Sequence, residues 1–284
     1  MDERLDIAPL DIALVQTRTP ATADAGLAHV EPLIREAAAG GAKLILTPEG
    51  TNLLEQRRGL RDAALSSEEA DAAVLGLRAL AEDLGVWLLI GSAIVRSGVP
   101  GDDRAANRSL LVDPTGAVVA RYDKLHVFDV DLPGGETYRE SASVRPGVGA
   151  TVAQTPWGRL GLSICYDVRF PQLYRALAKA GASMIAVPAA FTRPTGEAHW
   201  ETLLRARAIE TGAFVLAPAQ GGTHEDGRQT WGRSVVVGPW GEIIARADHD
   251  DPCVLHATLD LSAVQRARQA VPDLLHDRDF DWPQ

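Results

Sequence analysis

The fold is decided at the stretch LGLSICYDVRFP, residues 160–171, in which an apolar segment ends on a cysteine. Residues 160–164 have the length and composition of a buried β-strand, and a helix is predicted to begin just beyond the stretch. A strand that leads into a helix is typical of α/β proteins, whose ligand sites collect at the carboxyl ends of strands. Cys165 therefore occupies a position where a functional side chain is expected.

Two roles are open to Cys165 when this stretch is taken alone. The strand would hold the thiol rigidly, and the backbone N–H groups at the start of the helix would favour a thiolate or an oxyanion beside it. That setting suits a nucleophile. The alternative is a small, inert apolar residue, because free cysteines are often buried in protein cores.

The composition predicts a globular protein with a large core. The chain has 284 residues, of which 46% are hydrophobic, enough for one large α/β domain or two smaller ones. Cys165 and Cys253 are its only cysteines, and residues 1–6 do not resemble a secretory signal. These features predict a reducing, cytoplasmic location in which both thiols are free.

Charge and motif content narrow the class of partner. The formal net charge of −10 argues against a nucleic acid, and no segment approaches the roughly 18 apolar residues of a membrane helix. The seven histidines are scattered, without metal-binding spacing, and no glycine-rich phosphate loop occurs. The sequence therefore predicts no metal and no cofactor, and a small molecule as the partner.

Two other predicted strands also end on charged side chains. Glu49 follows the apolar run of residues 42–47, and Lys124 follows a predicted hairpin at residues 107–122. Each has a simpler interpretation, because glutamates in turns and lysines are usually solvated. Their shared position at strand ends nevertheless indicates a site that contains a carboxylate, an ammonium group and the thiol of Cys165.

The order of predicted elements repeats. Residues 10–122 and residues 158–246 each run β-α-β-α-β into a hairpin, which predicts two similar sheets stacked face to face with helices outside. Between the halves, residues 132–146 form a predicted loop that includes Glu140. A further strand at 255–259, a short helix at 261–270 and a polar tail at 271–284, with Phe280 and Trp282, complete the chain.

Three motifs resemble the signatures of the nitrilase, or carbon–nitrogen hydrolase, superfamily. They are PEG at residues 48–50, YDKLHVFD at 122–129 and CYDVRFP at 165–171, in the family's order. The resemblance covers residues 10 to 275 approximately. It implies an α-β-β-α sandwich, a single domain over residues 1–284 with its core at about 10–275, and a catalytic triad of Glu49, Lys124 and Cys165.

Further runs are similar to the Nit branch, whose members hydrolyse terminal amides of small dicarboxylic acids or of deaminated glutathione. The runs are KLHVFDVDLPG at 124–134, YRES at 138–141, GEAHWE at 196–201, LRARAIET at 204–211, APAQGGTH at 217–224 and WGRS at 231–234. The last two resemble the deaminated glutathione group more than the ω-amidase group. Gly221 departs from that group, in which a cysteine is expected, so the substrate is less certain than the triad.

The resemblance assigns a role to each site residue. Cys165 is the expected nucleophile, Glu49 the base that takes its proton, and Lys124 the cation that stabilises negative charge on sulfur and oxygen. The backbone N–H of Tyr166 would be a second oxyanion donor. Glu140 would orient the substrate amide and Lys124 or act as a second acid or base, unless it only caps its loop. Cys253 lies in no motif and is expected to be structural.

Substrate contacts are predicted less directly. Arg169 is the first candidate for a substrate carboxylate, because a guanidinium binds carboxylates bidentately. An internal ion pair of Arg169 with Asp167 or Glu210 is the alternative. Phe191 and Thr192 follow another predicted strand end and are expected to line the pocket, whereas packing is the simpler role for His199 and Trp200.

The predicted activity is that of a cysteine-dependent amidase. It would hydrolyse the terminal amide of deaminated glutathione or of an ω-amide 2-oxo acid to the acid and ammonia through a thioester. A nitrilase or an N-carbamoyl hydrolase on the same triad is one alternative, and a non-catalytic scaffold with this fold is another. By the same resemblance we expect a homodimer or higher homo-oligomer, formed across residues 170–180 and 197–211.

Overall fold

The computed structural model describes residues 9–279 and residue 281. Phe280 and Trp282, which the sequence analysis named in the tail, lie outside the described residues. The helices are α1 (Ala23–Ala39), α2 (Arg58–Ala64), α3 (Ala72–Leu84), α4 (Pro171–Lys179), α5 (Arg193–Thr211) and α6 (Ser262–Ala270).

Sixteen strands accompany these helices in the described part of the chain. The strands are β1 (Leu10–Gln16), β2 (Leu44–Leu46), β3 (Trp87–Arg96), β4 (Ala105–Val112), β5 (Val118–Asp123), β6 (Asp129–Asp131), β7 (Thr137–Arg139), β8 (Thr151–Thr155), β9 (Gly158–Leu162), β10 (Ala182–Ala186), β11 (Phe214–Ala217), β12 (Gly221–Thr223), β13 (Gln229–Trp231), β14 (Val235–Val237), β15 (Ile243–Arg246) and β16 (Cys253–Leu259). Most of them form two large sheets.

The two large sheets have the same plan. One has the strand order β16-β1-β2-β3-β4-β5 and the other β8-β9-β10-β11-β14-β15. In each sheet three parallel strands form the centre, two antiparallel strands follow on one side, and one antiparallel strand closes the other side. The doubled β-α plan predicted from the sequence is confirmed.

The core sits between the two sheets and beneath the helices. Inward side chains such as Leu46 of β2 and Leu162 of β9 belong to one buried cluster that joins the sheets and includes Leu204 of α5. The other face of the first sheet packs on α1 and α3 through residues such as Ile34. Because each fully buried side chain of this kind stabilises the fold by about 1.5–3 kcal/mol, the layers hold together as an α-β-β-α sandwich.

A glycine in β3 allows this strand to pass close to the turn that follows β2. A Cβ atom at Gly91 of β3 would lie 1.6 Å from the carbonyl oxygen of Thr47, which immediately follows β2. No side chain fits in that space, so Gly91 lets β3 pass directly beside the turn that presents Glu49. The pairing of β3 with β4 shifts register between Ile90 and Ala93, at the same point.

Some local elements differ from the sequence predictions. The predicted loop at 132–146 contains β7, which pairs with β6, and a 3-10 helix at Glu140–Ala142. The short strand β8, the hairpin of β12 and β13 and the exposed helix α2 were not predicted. These unpredicted elements have three to seven residues each, so they offer too few positions for local periodicity to identify them.

Two helices also begin at residues other than those predicted. The helix predicted from Glu68 begins at Ala72, because the side chain of Asp71 accepts a hydrogen bond from the N–H of Val74. The helix predicted from Glu197 begins at Arg193. Among residues 9–279, no helix combines the length and apolarity needed to cross a membrane.

Candidate active site

Cys165 lies immediately beyond β9 in a strained backbone conformation. Its φ is +52°, which is unusual for a residue with a side chain and costs on the order of 1–3 kcal/mol. Its N–H donates to the carbonyl oxygen of Pro188, beyond the neighbouring strand β10, at 2.9 Å. The residue is 7% exposed. The turn therefore aims a largely buried thiol in one direction.

A 3-10 turn separates Cys165 from the helix that follows it. A 3-10 helix spans Cys165–Arg169, and α4 begins only at Pro171. This start agrees with the helix predicted to begin just beyond residues 160–171, and proline is suited to it because proline cannot donate a helical hydrogen bond and favours the first position of a helix. The backbone N–H of Tyr166 instead lies in the first turn of the 3-10 helix, where N–H groups lack partners within the helix.

Glu49 reaches the site from the turn after β2. One carboxylate oxygen, Oε1, accepts hydrogen bonds from Lys124 Nζ and from Asn107 Nδ2, both at 2.8 Å. The other oxygen, Oε2, accepts from the backbone N–H of Ala190 at 2.9 Å. With these three donors the buried carboxylate is held in a fixed orientation.

Lys124 follows β5 and joins two carboxylates. Its side chain is 2% exposed, and Nζ donates to Glu49 and also to Glu140 Oε2 at 2.9 Å. Glu140 begins the 3-10 helix in the segment predicted as a loop, and its Oε2 also accepts from the N–H of Phe128 at 2.6 Å. Lys124 and the two glutamates therefore form a buried ion-pair cluster.

The charges of this cluster set its protonation. Burial would raise the pKa of Glu49, but the charge of Lys124 and hydrogen bonds from Lys124 and Cys165 outweigh burial, so the pKa of Glu49 is lowered. Burial works against the charge of Lys124, but Glu140 and Glu49 raise its pKa well above the usual value. Burial and the negative charge of Glu49 raise the pKa of Cys165 well above the usual value, against the opposite effect of Lys124. The resting state thus has an ionised Glu49 beside a protonated thiol.

A second buried group connects the Lys124 segment to the Cys165 turn. Asp167 is fully buried, and its carboxylate accepts from the hydroxyl of Tyr122 at 2.7 Å and the N–H of Ile164 at 2.8 Å. It also accepts from the N–H of His126 at 3.0 Å and lies 2.7 Å from the Nδ1 of that ring. Because Tyr122 and His126 flank Lys124, Asp167 fixes the ammonium group relative to the thiol.

Neither Asp167 nor Glu210 pairs with Arg169. Asp167 is occupied as described, and Glu210 accepts from Arg207 at 2.6 Å, so the predicted internal ion pair is wrong. Arg169 Nη2 lies 3.3 Å from His199 Nδ1, and the guanidinium covers the rings of Tyr166 and Phe191 at 5.8 and 5.6 Å. The guanidinium of Arg169 therefore packs on the rings of Tyr166 and Phe191, two of the predicted substrate-binding residues.

A cavity of about 310 Å³ contains the cluster, a volume at the small end of the range for small-molecule sites. Its wall includes the predicted residues Glu49, Lys124, Glu140, Cys165, Tyr166, Phe191 and Thr192, but not Arg169. The wall residues that the sequence analysis did not single out include Asn107, Arg61, Arg139 and Arg228. Asn107 stands within a predicted strand, and the arginines lie in segments with no periodic pattern, so local signals did not single them out.

This arrangement can perform nucleophilic substitution at a carbonyl carbon. The thiol provides the nucleophile, the ionised Glu49 can accept its proton, and Lys124 can stabilise an oxyanion. The cavity excludes much of the surrounding water, which strengthens these electrostatic interactions.

Comparisons with known proteins agree with the geometry. A profile of the family described as carbon-nitrogen hydrolase matches residues 11–269. The deaminated glutathione amidase of Yersinia enterocolitica is 40% identical over 269 residues, which cover 94% of this chain and 93% of that protein. The NitFhit protein of C. elegans superposes with a TM-score of 0.87 at 35% identity, and the match covers 95% of this chain and 65% of that one.

One further solved structure bears on the cysteine. A mutant of the amidase from Nesterenkonia sp. AN1 superposes with a TM-score of 0.76 at 30% identity and covers 93% of this chain and 95% of that one. It shows covalent addition of the acetamide moiety of fluoroacetamide at the active site cysteine. These likenesses extend over nearly the whole described chain.

Proposed function

The chain belongs to the carbon–nitrogen hydrolase family, and from this premise we propose that it is an amidase that forms a thioester on Cys165. The proposed substrate is the terminal amide of a small carboxylic acid, either deaminated glutathione or an ω-amide 2-oxo acid. The observation that carries the proposal is the buried ion pair of Glu49 with Lys124 on the cavity wall that also contains Cys165.

The proposed first step forms the thioester. Glu49 takes the proton from the Cys165 thiol while sulfur attacks the amide carbon and the carbonyl oxygen becomes negative. When that tetrahedral intermediate collapses, the carbon–nitrogen bond breaks, and the nitrogen leaves as ammonia with the proton that Glu49 had taken. The acyl group remains on sulfur, and Glu49 is ionised again.

The second step reverses the roles with water. Glu49 takes a proton from a water molecule, whose oxygen attacks the thioester carbon. The carbon–sulfur bond then breaks, the proton from Glu49 returns to sulfur, and the carboxylic acid leaves. One carboxylate therefore serves both halves of the reaction, as its position beside the thiol allows.

Lys124 and the N–H of Tyr166 are the proposed donors to the oxyanion. Lys124 is held charged by two carboxylates, and it needs no reorganisation when charge develops on the carbonyl oxygen. Loss of one preorganised donor of this kind typically costs about 3 kcal/mol of barrier. Glu140 also accepts from Lys124 Nζ, at 2.9 Å, which supports a role in orienting Lys124 and the substrate amide.

The activities for which the relatives are named support an amide rather than a nitrile substrate. The Yersinia enterocolitica relative is named deaminated glutathione amidase, and the Nesterenkonia amidase carries its acetamide adduct on a cysteine. The departure at Gly221 lies away from the cavity wall. A Cβ atom there would lie 2.2 Å from the carbonyl oxygen of Asp250, so glycine is explained by local packing and does not argue against this substrate class.

Ammonia release tests the proposed function. Wild-type protein is assayed against deaminated glutathione, ω-amide 2-oxo acids, the matching nitriles and N-carbamoyl compounds, with Cys165→Ala as the inactive control. Turnover of the amides is expected. Activity on nitriles or carbamoyl compounds alone would replace the proposal by the corresponding rival enzyme.

Intact-mass analysis tests the nucleophile separately. Brief treatment with fluoroacetamide should add one acetamide group at Cys165, because Glu49 can remove its proton on attack. Cys253 is half-buried at the start of β16, and its burial raises the pKa of its thiol. Peptide mapping that found the group only on Cys253 would contradict the assignment.

We also propose a single domain that assembles as a homodimer or higher homo-oligomer in the cytoplasm. The exposed face of α5, where Ile209 is 56% exposed, supports a contact between copies across the helices after the cysteine. Light scattering at micromolar concentration tests the assembly, and a monomer would exclude it.

A further inference from the structure

Three arginines line the same cavity as Cys165, and two of them already have a carboxylate partner. Arg61 lies 2.8 Å from Asp62, and Arg139 lies 2.8 Å from Asp131. Their charges are therefore compensated within the protein. The third, Arg228, stands in the turn between β12 and β13.

Arg228 has no carboxylate partner among the described residues. Its Nη2 donates to the carbonyl oxygen of Ala190 at 2.7 Å, and its enclosed Nε has no hydrogen-bond partner. Within residues 9–279 no carboxylate oxygen lies within the 4.0 Å of an ion pair, and Nη1 makes no hydrogen bond to the protein. The carboxylate of the neighbouring Asp226 accepts from the backbone N–H groups of Arg228 and Gln56, each at 2.9 Å, and not from the guanidinium.

Arg228 differs from the other two arginines of the cavity because it has no direct ion pair among the described residues. Lys124 pairs with both Glu49 and Glu140, so that cluster has one negative charge in excess, and Arg228 lies near it without bonding to either carboxylate. Its positive charge is close enough to contribute to the lowered pKa of Glu49. A partly buried guanidinium without a direct ion pair has donors to offer to an anionic group of a substrate.

Arg228 is also fixed by the backbone that holds the proposed base. The carbonyl oxygen of Ala190 accepts from Arg228, and the N–H of the same residue donates to Glu49. The backbone of Ala190 therefore links the guanidinium of Arg228 to the carboxylate of Glu49. That connection keeps their separation constant.

We propose that Arg228 is the specificity-determining residue of this cavity and binds the carboxylate at the end of the substrate remote from the scissile amide. This inference rests on the proposed amidase function and adds the residue that selects acidic amides over neutral ones. Nη1 is the donor that would reach the ligand, with Nη2 kept on Ala190.

The test compares succinamate with butyramide, which has a methyl group in place of the carboxylate. Wild-type protein should have a higher kcat/KM for succinamate. In Arg228→Gln the ratio of the two kcat/KM values should fall about 10- to 100-fold, mostly through a higher KM for succinamate, because a charge-assisted hydrogen bond is lost. Arg228→Lys should restore part of the ratio. An unchanged ratio in Arg228→Gln would overturn the inference.

Two matched variants identify which arginine is responsible. Arg139→Gln removes a cavity arginine that is already paired, and its ratio should remain that of the wild type. Arg169→Gln tests the arginine predicted from the sequence. Loss of the preference in Arg169→Gln but not in Arg228→Gln would assign the carboxylate to Arg169 and contradict the inference.

The outcomes separate this inference from the proposed function. A wild-type protein that hydrolyses no amide would refute the amidase proposal, whereas equal kcat/KM for both amides would refute only the role of Arg228. Should Arg228→Gln fail to fold, calorimetry with succinate on Cys165→Ala and on Cys165→Ala/Arg228→Lys provides the second measurement. Succinate should bind the first and bind the second several-fold more weakly, and equal affinity would contradict the inference.

Discussion

The two halves of the molecule share a strand order but differ in what their strand ends supply. In the first half, Glu49 follows β2 and Lys124 follows β5; in the second half, Cys165 follows β9. The second-half end that corresponds to Glu49 follows β10 and contributes the backbone N–H of Ala190 to Glu49 and the side chains of Phe191 and Thr192 to the cavity wall. The comparison teaches that the repeated sheet sets positions, while different residues at equivalent positions set the chemistry.

The halves also hold their groups by different physical means. The first half holds Glu49 and Lys124 by ion pairs in a buried environment, where removal of one partner leaves an uncompensated charge. The second half holds Cys165 by a left-handed backbone turn and a hydrogen bond from its own N–H. Activity should therefore depend on the site residues of both halves. Replacement of the ion-paired residues Glu49 or Lys124 should lower the free energy of unfolding more than replacement of Cys165.

Replacement of Cys165 should give the largest loss of activity with the smallest loss of stability. Cys165→Ala removes the nucleophile, so we expect kcat to fall by roughly 10⁴- to 10⁶-fold. The small side chain and the unchanged backbone turn should keep the melting temperature close to that of the wild type. Steady-state kinetics and calorimetric melting measure the two effects. Turnover retained in Cys165→Ala would show that Cys165 of the second half is not the nucleophile.

Lys124→Met should damage both properties. It removes an oxyanion donor and leaves Glu49 and Glu140 side by side, so we expect kcat to fall by about 10²- to 10³-fold and the free energy of unfolding by about 3–5 kcal/mol. Urea denaturation of Lys124→Met and Cys165→Ala under identical conditions tests the contrast. Equal stability of the two variants would break the distinction between the halves.

Asp167→Asn should loosen the connection between the halves. The amide cannot accept all the hydrogen bonds from Tyr122, His126 and Ile164, so we expect about 1–3 kcal/mol less stability. Displacement of Lys124 relative to Cys165 should lower kcat up to about 100-fold, with little change in KM. Tyr122→Phe is the control, because it removes one of these bonds and should have a smaller effect. A change in KM alone would mean that Asp167 does not position the reacting groups.

The pH profile should show the smallest effect. Because the pKa of the Cys165 thiol is raised and Glu49 is already ionised, kcat/KM should not rise near pH 8.5, where an ordinary cysteine titrates. For stability, the lowered pKa of Glu49 gives a contribution present above its unfolded pKa and lost as pH falls through the folded one. The raised pKa of Lys124 gives a contribution present below its unfolded pKa and lost as pH rises through the folded one.

Measurements of kcat/KM and of urea unfolding between pH 6 and pH 9 should therefore both be nearly flat for these groups. A rate increase centred near pH 8.5 would indicate a thiolate formed by titration in bulk solvent. That result would contradict proton transfer to Glu49.

Much of the fold followed from the sequence. The repeated β-α order and the apolar runs before Glu49 and Cys165 are local patterns, and they predicted the doubled sheets because burial of periodic apolar faces dominates folding. The small hairpins and the 3-10 turn at Cys165 did not follow. Their few residues gain stability from contacts with distant segments, which local periodicity does not record.

The chemical groups at the strand ends, Glu49, Lys124 and Cys165, could be identified from local sequence patterns alone. Their charge states and their surroundings depend on contacts that form only in the folded chain. Glu49 meets Lys124 across 75 positions of the chain and the N–H of Ala190 across 141. Protonation depends on burial and on such neighbours, so the ionised base, the neutral thiol and the unpaired Arg228 became evident only when the two sheets were brought together.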